Sequence, residues 1–218
     1  MNASDRSRSA PPPDHVVGEV EPFDPGPSVD AAASVLEAQG SAFALIGGLA
    51  LDAWGIPRAT RDADFAVTVG AAERAADSLR GPDTDVHPLR IGGVGLRDSK
   101  RRLRIDLVDR RFHFEALFRE AIEEARSSGR KARVAGRDVS LVSMEFLLAM
   151  KLVSGEPKDE IDARRLLQRH ELDYRAARAV VERYLGAASA NRLDALAREA
   201  GRPEVDRVRL YRNGEEPE

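Results

Sequence analysis

The spacing of hydrophobic positions predicts a strand, a turn and a helix in quick succession. The apolar run at residues 43–46 ends at Gly47 and Gly48, which is typical of a short buried strand that breaks into a tight turn. Residues 49–54 follow with the spacing of one or two helical turns, and a glycine and a proline come soon after them. We therefore expect the chain to turn at the two glycines and to enter a short helix.

Alternation of apolar and polar residues begins at Asp62 and predicts a second strand. Phe65 and Val67 fall on one face of this strand, whereas Asp62 and Asp64 fall on the other. The two carboxylates stand about 7 Å apart, given a rise of ~3.3 Å per residue, and like charges at that distance repel each other. A bound cation relieves the repulsion, and Mg²⁺ prefers oxygen ligands; two acids that only cap a strand edge are the alternative.

The glycine turn also has a chemical interpretation. Backbone N–H groups at a glycine-rich turn that enters a helix bind anions, and glycine lets a phosphate approach the backbone closely. A plain turn is the alternative for Gly47 and Gly48 taken alone. In the order strand, glycine pair, helix and acidic strand, the pattern favours a phosphate site beside a metal site.

A later strand carries a third acid. Leu103, Ile105 and Leu107 alternate with polar residues, so Asp106 points to the face opposite the apolar one. Asp109 is a competitor, but it has the other parity and lies near the end of the strand. The alternative for Asp106 is a structural pair with a nearby arginine on a solvated face of the sheet.

The remaining elements follow from periodicity and capping signals. Helices are expected at 31–39 with Ser28 as the cap, at 71–79, 112–127, 157–170, 174–185 and 188–200, and after Ser143. Further strands are expected at 86–91 and in a hairpin at 131–134 and 138–142, with a loop or turn at 92–100. We expect a polar arm at 1–27, an α/β core at 28–142, a helical part at 143–203 and a polar tail at 204–218.

Composition narrows the class of protein without naming it. The chain has 218 residues, 42% of them hydrophobic, with no cysteine and a net charge of −3, so disulfides and thiolate metal sites are excluded. There is no apolar run of the ~20 residues that span a bilayer and no signal-peptide pattern, and a cytoplasmic bacterial protein without a membrane partner is the expectation. Residues 97–111 are rich in arginine. This run is either a charged edge that deters strand pairing or a surface that binds a polyanion.

The motif from Gly47 to Asp64 resembles a known family. Gly47-Gly48, thirteen further residues and then Asp62-x-Asp64 are similar to the signature of the nucleotidyltransferase superfamily with the DNA polymerase beta-like fold. The surrounding residues are closer still to the AbiEii-type toxin nucleotidyltransferases. This resemblance implies an α/β (α+β) fold, a mixed sheet flanked by helices with a C-terminal helical part.

The resemblance also implies roles for particular residues. Catalysis and binding of Mg²⁺, or of Mn²⁺, would belong to Asp62, Asp64 and Asp106. Nucleotide binding would belong to Gly47, Gly48, Arg58, Thr60 and Lys151.

Lys151 is informative because it lies in a helix that is apolar almost all round. Burial of an ammonium is costly, so the side chain either reaches water or meets a polyanion, and the resemblance favours the triphosphate. Asp159 and Asp162 share one face of the next helix. They are expected to orient Lys151 or an arginine, and favourable charges at a helix N-terminus are the alternative.

The activity that the resemblance implies is transfer of a nucleoside monophosphate from an NTP to a hydroxyl. The acceptor expected is a tRNA or another RNA, in a toxin that has a cognate antitoxin. The alternatives are an enzyme that modifies a small antibiotic and a catalytically silent member that binds a nucleotide or a partner.

Overall fold

The computed structural model describes residues 24–202. The strands in this range are β1 (Phe43–Leu45), β2 (Ala63–Val67), β3 (Thr84–Pro88), β4 (Val94–Asp98), β5 (Leu103–Val108), β6 (Lys131–Val134) and β7 (Arg137–Ser140). The α-helices are α1 (Gly26–Ala38), α2 (Gly47–Ala53), α3 (Ala71–Leu79), α4 (Glu115–Ser127), α5 (Met144–Ser154), α6 (Pro157–Leu167), α7 (Tyr174–Leu185) and α8 (Ala187–Glu199). A single 3-10 turn, Phe112–Phe114, precedes α4.

Five strands form one mixed sheet in the order β1-β2-β5-β4-β3. The β2–β5 pair is parallel, and the other three pairs are antiparallel. Phe65 and Leu107 are register partners at its centre and are fully buried. Burial of side chains of this size stabilises the fold by about 1.5–3 kcal/mol each. The predicted mixed sheet flanked by helices is confirmed.

Helices cover the sheet and continue beyond it. α1 and α3 pack together and against β5 and β4, while α4 packs against β1 and β2. α5 contacts α4 and also packs on α6 and α7, and α7 packs on α8. Ser143 caps α5 as predicted, since its hydroxyl accepts a hydrogen bond from Phe146 N. No helix within residues 24–202 combines the length and the apolar character needed to cross a membrane.

The prediction that Ser28 caps the first helix is wrong. α1 already begins at Gly26, with Pro27 in its first turn, where a proline loses no hydrogen bond. Ser28 therefore lies inside the helix and is fully buried, and its Oγ accepts a hydrogen bond from Arg104 N at 2.9 Å. The hydroxyl ties α1 to β5. The helix also begins within the last residues of the predicted arm; residues 1–23 of that arm and the tail lie outside the described residues.

The prediction of a loop or turn across residues 92–100 is also wrong in its middle part. Gly92 and Gly93 lie in the bend before β4, residues 99–100 lie in the turn after it, and the residues between them form the strand. The strand was hidden because Gly95 interrupts its alternation, although Leu96 is fully buried. This strand brings Arg97 beside the candidate site.

Candidate active site

The parallel pairing of β2 with β5 brings the predicted acids together. Asp64 and Asp106 are register partners on the two strands, so both side chains point from the same face of the sheet. Asp62 lies one residue before β2 and opens toward the same face. The structure thus places Asp64 and Asp106 side by side, with Asp62 nearby in the same cleft, and this arrangement depends on a strand order that the sequence alone does not give.

The glycine turn is shaped around Asp64. A Cβ atom at Gly47 would lie 1.9 Å from Asp64 Oδ2, and Gly47 has a φ of +68°, which residues with a side chain rarely adopt. A Cβ atom at Gly48 would lie 2.7 Å from Thr60 Cβ. The backbone N–H of Gly48 donates a hydrogen bond to the Asp64 carboxylate. Both predicted glycines therefore make room for Asp64 and for the segment that leads to it.

Asp64 is poorly suited to carry a negative charge without a counter-ion. Burial is the main cause that raises its pKa, to about 7, and the charges of Asp106 and Asp62 add to the shift. The Lys151 ammonium and the hydrogen bond from Gly48 act in the opposite direction and do not cancel it. Without a bound cation, Asp64 therefore favours its protonated form far more than an ordinary aspartate does.

Two arginines that the sequence did not assign to the site bind its other acids. Arg104 Nε lies 2.9 Å and Arg97 Nη2 lies 3.4 Å from Asp62 Oδ1. Arg97 Nη1 lies 2.8 Å from Asp106 Oδ1, but its hydrogens point to the carbonyl oxygens of Leu96 and Ile105. Arg104 and Asp106 are two residues apart on one strand and so share a face, which could have predicted that Arg104 lies near the site. The contact of Arg97 could not be predicted without knowing where β4 lies in the sheet.

The donor set of Asp64 and Asp106 fits a divalent cation. Asp106 Oδ1 is buried and accepts no hydrogen bond, and Asp64 is destabilised by its neighbouring acids. Carboxylate oxygens with spare lone pairs are the ligands that Mg²⁺ prefers. Across residues 24–202, however, no three acidic or imidazole side chains converge as a set that could hold a metal ion. Asp62 contacts Arg104 and Arg97 through Oδ1, so its other carboxylate oxygen is the atom that would serve as a third ligand.

Lys151 and Arg58 are held by two carboxylates of α6. Lys151 Nζ lies 2.6 Å from Asp159 Oδ1 and 2.9 Å from Asp162 Oδ2, and Arg58 Nε lies 3.2 Å from Asp162 Oδ1. Burial on its own raises the pKa of Asp159, but hydrogen bonds from Lys151 and Ser154 outweigh it and hold that pKa below its ordinary value. The contacts agree with the expectation that these acids orient Lys151 or an arginine; they orient both.

These groups line one cleft of about 450 Å³, a size typical of ligand pockets. Thr60 lines it too, and its hydroxyl lies 3.2 Å from Asp62 O, within the turn that enters β2. The cleft contains all eight residues predicted as catalytic or nucleotide-binding, namely Gly47, Gly48, Arg58, Thr60, Asp62, Asp64, Asp106 and Lys151. Six basic side chains face it, those of Arg58, Arg61, Arg104, Arg110, Lys151 and Lys158.

The arginine run of residues 97–111 is largely engaged within the chain. Arg101 Nε lies 2.7 Å from Asp98 Oδ2, and Arg111 Nη2 lies 2.9 Å from Asp109 Oδ2. Asp109 is fully buried and also accepts a hydrogen bond from Gly70 N, so the competitor of Asp106 has a structural position. The run as a whole is not a free basic edge.

A comparison of sequences decides the family. The profile described as nucleotidyl transferase AbiEii toxin, type IV toxin–antitoxin system, matches residues 31–213. This chain belongs to the AbiEii family. It is a nucleotidyltransferase, and the resemblance read from the Gly-Gly and Asp-x-Asp motifs is confirmed. No curated protein matches the sequence significantly.

Distant likeness to solved structures accompanies the family assignment. The antibiotic-resistance factor ANT(2'')-Ia in solution is 18% identical, over 85% of this AbiEii-family chain and 95% of its own, with a TM-score of 0.43. Its crystal structure with adenylyl-2''-tobramycin is 18% identical, over 78% of this chain and 95% of its own, with a TM-score of 0.43. An antigenic nucleotidyltransferase-like protein from Paracoccidioides brasiliensis is 16% identical, over 81% and 94%, with a TM-score of 0.41. At this level of similarity none of them bears on the substrate of this chain.

Proposed function

We propose that this protein transfers a nucleoside monophosphate from an NTP to a hydroxyl of an RNA, with tRNA as the first candidate, and that it acts as the toxin of a toxin–antitoxin pair. The observation that carries the transfer is the register of Asp64 with Asp106 beside the Gly47 turn. Two carboxylates at one edge of a cleft suit the activation of a hydroxyl next to a phosphate. The family supports the toxin role and an antitoxin counterpart. The cytoplasm is the compartment proposed, because NTPs and tRNA are there.

The residues of the cleft divide the chemistry between them. Arg58 and Lys151 attract the triphosphate, and their hydrogen-bonded partners on α6 fix where that charge lies. Asp106 takes the proton of the acceptor hydroxyl, and the oxygen attacks the α-phosphorus in line as the bond to pyrophosphate breaks. Asp64 and Asp106, with Asp62 as a third ligand, would hold Mg²⁺ or Mn²⁺, and the ion would supply Lewis acidity at the phosphate.

The experiment that tests this proposal is label transfer from each α-³²P NTP with Mg²⁺, offered total RNA, total protein or no acceptor. Wild-type protein should label the RNA fraction, and Asp64→Ala should abolish the label, since the cleft loses the acid around which its turn is built. Asp52→Ala is the matched control, because Asp52 lies on α2 with an exposed side chain. Transfer that survives in Asp64→Ala would overturn the catalytic assignment, and label only in protein would overturn the RNA acceptor.

A further inference from the structure

Arg110 differs from Arg58, Arg104 and Lys151 of the cleft because no carboxylate of the described residues pairs with it. Arg58, Arg104 and Lys151 each have an ion-pair partner within 3.2 Å. Arg110 instead lies over the rings of Phe114 and Phe118, with its Cζ 5.4 Å and 6.0 Å from the two centroids. Its Nε is buried and makes no hydrogen bond within residues 24–202. A partly buried guanidinium without a counter-charge is a costly arrangement.

The two aromatic rings explain how the charge is tolerated but not what it is for. Cation–π contacts contribute about 0.5–1 kcal/mol at exposed sites and more where water is excluded. They leave the in-plane N–H groups of a guanidinium unsatisfied, since a ring face replaces none of them as a hydrogen-bond acceptor. Burial lowers the pKa of Arg110, and no nearby acid raises it. The side chain is therefore held in place with its donors still to be used.

Arg110 and Arg104 lie on opposite sides of Asp106 along the chain that forms β5. Arg104, Asp106, Val108 and Arg110 follow one another at every second residue, and all four line the cleft. Arg104 contacts Asp62, on the side of the glycine turn, whereas Arg110 lies beyond Asp106 at the other end of β5. The backbone separation from Asp106 is at most about 13 Å, from a rise of ~3.3 Å per residue in an extended chain, and a separation of this order suits a second group of an extended acceptor.

We propose that Arg110 binds a backbone phosphate of the acceptor, which makes the acceptor a phosphate-bearing polymer and specifically an RNA. This inference rests on the proposed function and narrows it. A planar guanidinium with free donors matches the oxygens of a phosphate in a bidentate way. A cationic antibiotic at the same position would meet an uncompensated positive charge and be repelled. A phosphate of the acceptor supplies both the charge and the hydrogen-bond acceptors that Arg110 lacks within the described residues.

Salt dependence of RNA binding provides the test, because each phosphate contact adds about one unit to the slope of log K against log salt. Labelled tRNA is titrated with wild type, Arg110→Gln, Arg110→Lys and the control Arg126→Gln, with affinity for an NTP measured separately. Arg126 is an exposed residue of α4 outside the cleft. We expect Arg110→Gln to weaken tRNA binding about tenfold and to reduce the slope by about one, while Arg110→Lys and Arg126→Gln keep it.

The other outcomes distinguish a failure of the role of Arg110 from a failure of the proposed function. A loss of NTP affinity with an unchanged tRNA slope would assign the phosphate to the donor and overturn the inference. A slope equal to that of the wild type in Arg110→Gln, with native thermal stability, would make Arg110 structural and overturn it as well. Because tRNA binding is measured without catalysis, an absence of label transfer would count against the proposed function alone, and the slope would still decide the role of Arg110.

Discussion

Gly47 and the carboxylate of Asp64 lie so close that no side chain fits between them. The Cβ position at Gly47 lies 1.9 Å from Asp64 Oδ2 in a backbone with a φ of +68°. Two constraints, space and backbone conformation, therefore act on the same residue. They make the turn and the acid a single fitted unit rather than two neighbouring motifs.

Substitution of Gly47 by Ala should remove label transfer and lower the free energy of unfolding by more than the about 1–3 kcal/mol that positive-φ strain costs. The new methyl group must push Asp64 away from Asp106. Gly40→Ala is the matched control, since Gly40 has a φ of +62° and nothing within 4 Å of a Cβ atom. Urea unfolding measures both variants. Equal losses of stability, with transfer intact in Gly47→Ala, would contradict the close fit.

Because the pKa of Asp64 is raised, replacing this acid by a neutral residue should increase the stability of the protein in a pH-dependent way. The pKa is about 7 in the folded protein against an ordinary 3.8, so folding favours the protonated acid. Its contribution to stability is fully present below pH 4 and is lost as the pH rises through 7. In metal-free buffer, Asp64→Asn should therefore melt about 2–6 °C above the wild type at pH 8 and show a shrinking difference toward pH 4. A difference independent of pH would refute this assignment of charge.

At the scale of elements, α5 and α6 act as a pair that supplies and anchors the cations of the cleft. Lys151 projects from the last turn of α5, and both of its partners lie on α6. Asp162 is 2% exposed and receives Lys151 and Arg58 together. Its loss leaves two cations short of a partner, which is more costly than the loss of an exposed pair.

Asp162→Asn should therefore lower the free energy of unfolding by about 2–4 kcal/mol, because it leaves buried charge uncompensated while it keeps the shape of the side chain. Glu160→Gln is the control on the same helix; Glu160 pairs with Arg164 and Arg192 at 37% exposure and should cost below about 1 kcal/mol. Denaturant unfolding at pH 7 compares the two. A cost for Asp162→Asn no larger than that of the control would show that the pair is not important for stability.

At the scale of the whole molecule, the sequence predicts the sheet, most helices and the acids. It does not predict which strands lie next to each other in the sheet. Period and capping signals place β2, β5 and α5 because they are local. The contact of Arg97 with Asp62 depends on β4 lying beside β5, and no local pattern contains that neighbour. The sequence did not single out Arg110 for a similar reason, since the absence of a carboxylate partner among the described residues is a property of the assembled cleft. Ser28 shows the converse error: its capping signal is a good local one, but the helix begins two residues earlier, with Pro27 in its first turn.

The parallel pairing of β2 with β5 has a consequence for synthesis of the chain on the ribosome. Asp106 is synthesised forty-two residues after Asp64, its register partner. Lys151 gains its second carboxylate partner only when Asp162 has emerged from the ribosome. A message cut short between residues 151 and 162 encodes Lys151 without Asp162, and the cleft lacks one of its anchors. For a protein proposed to act as a toxin, fragments that end before residue 162 are therefore expected to be inactive.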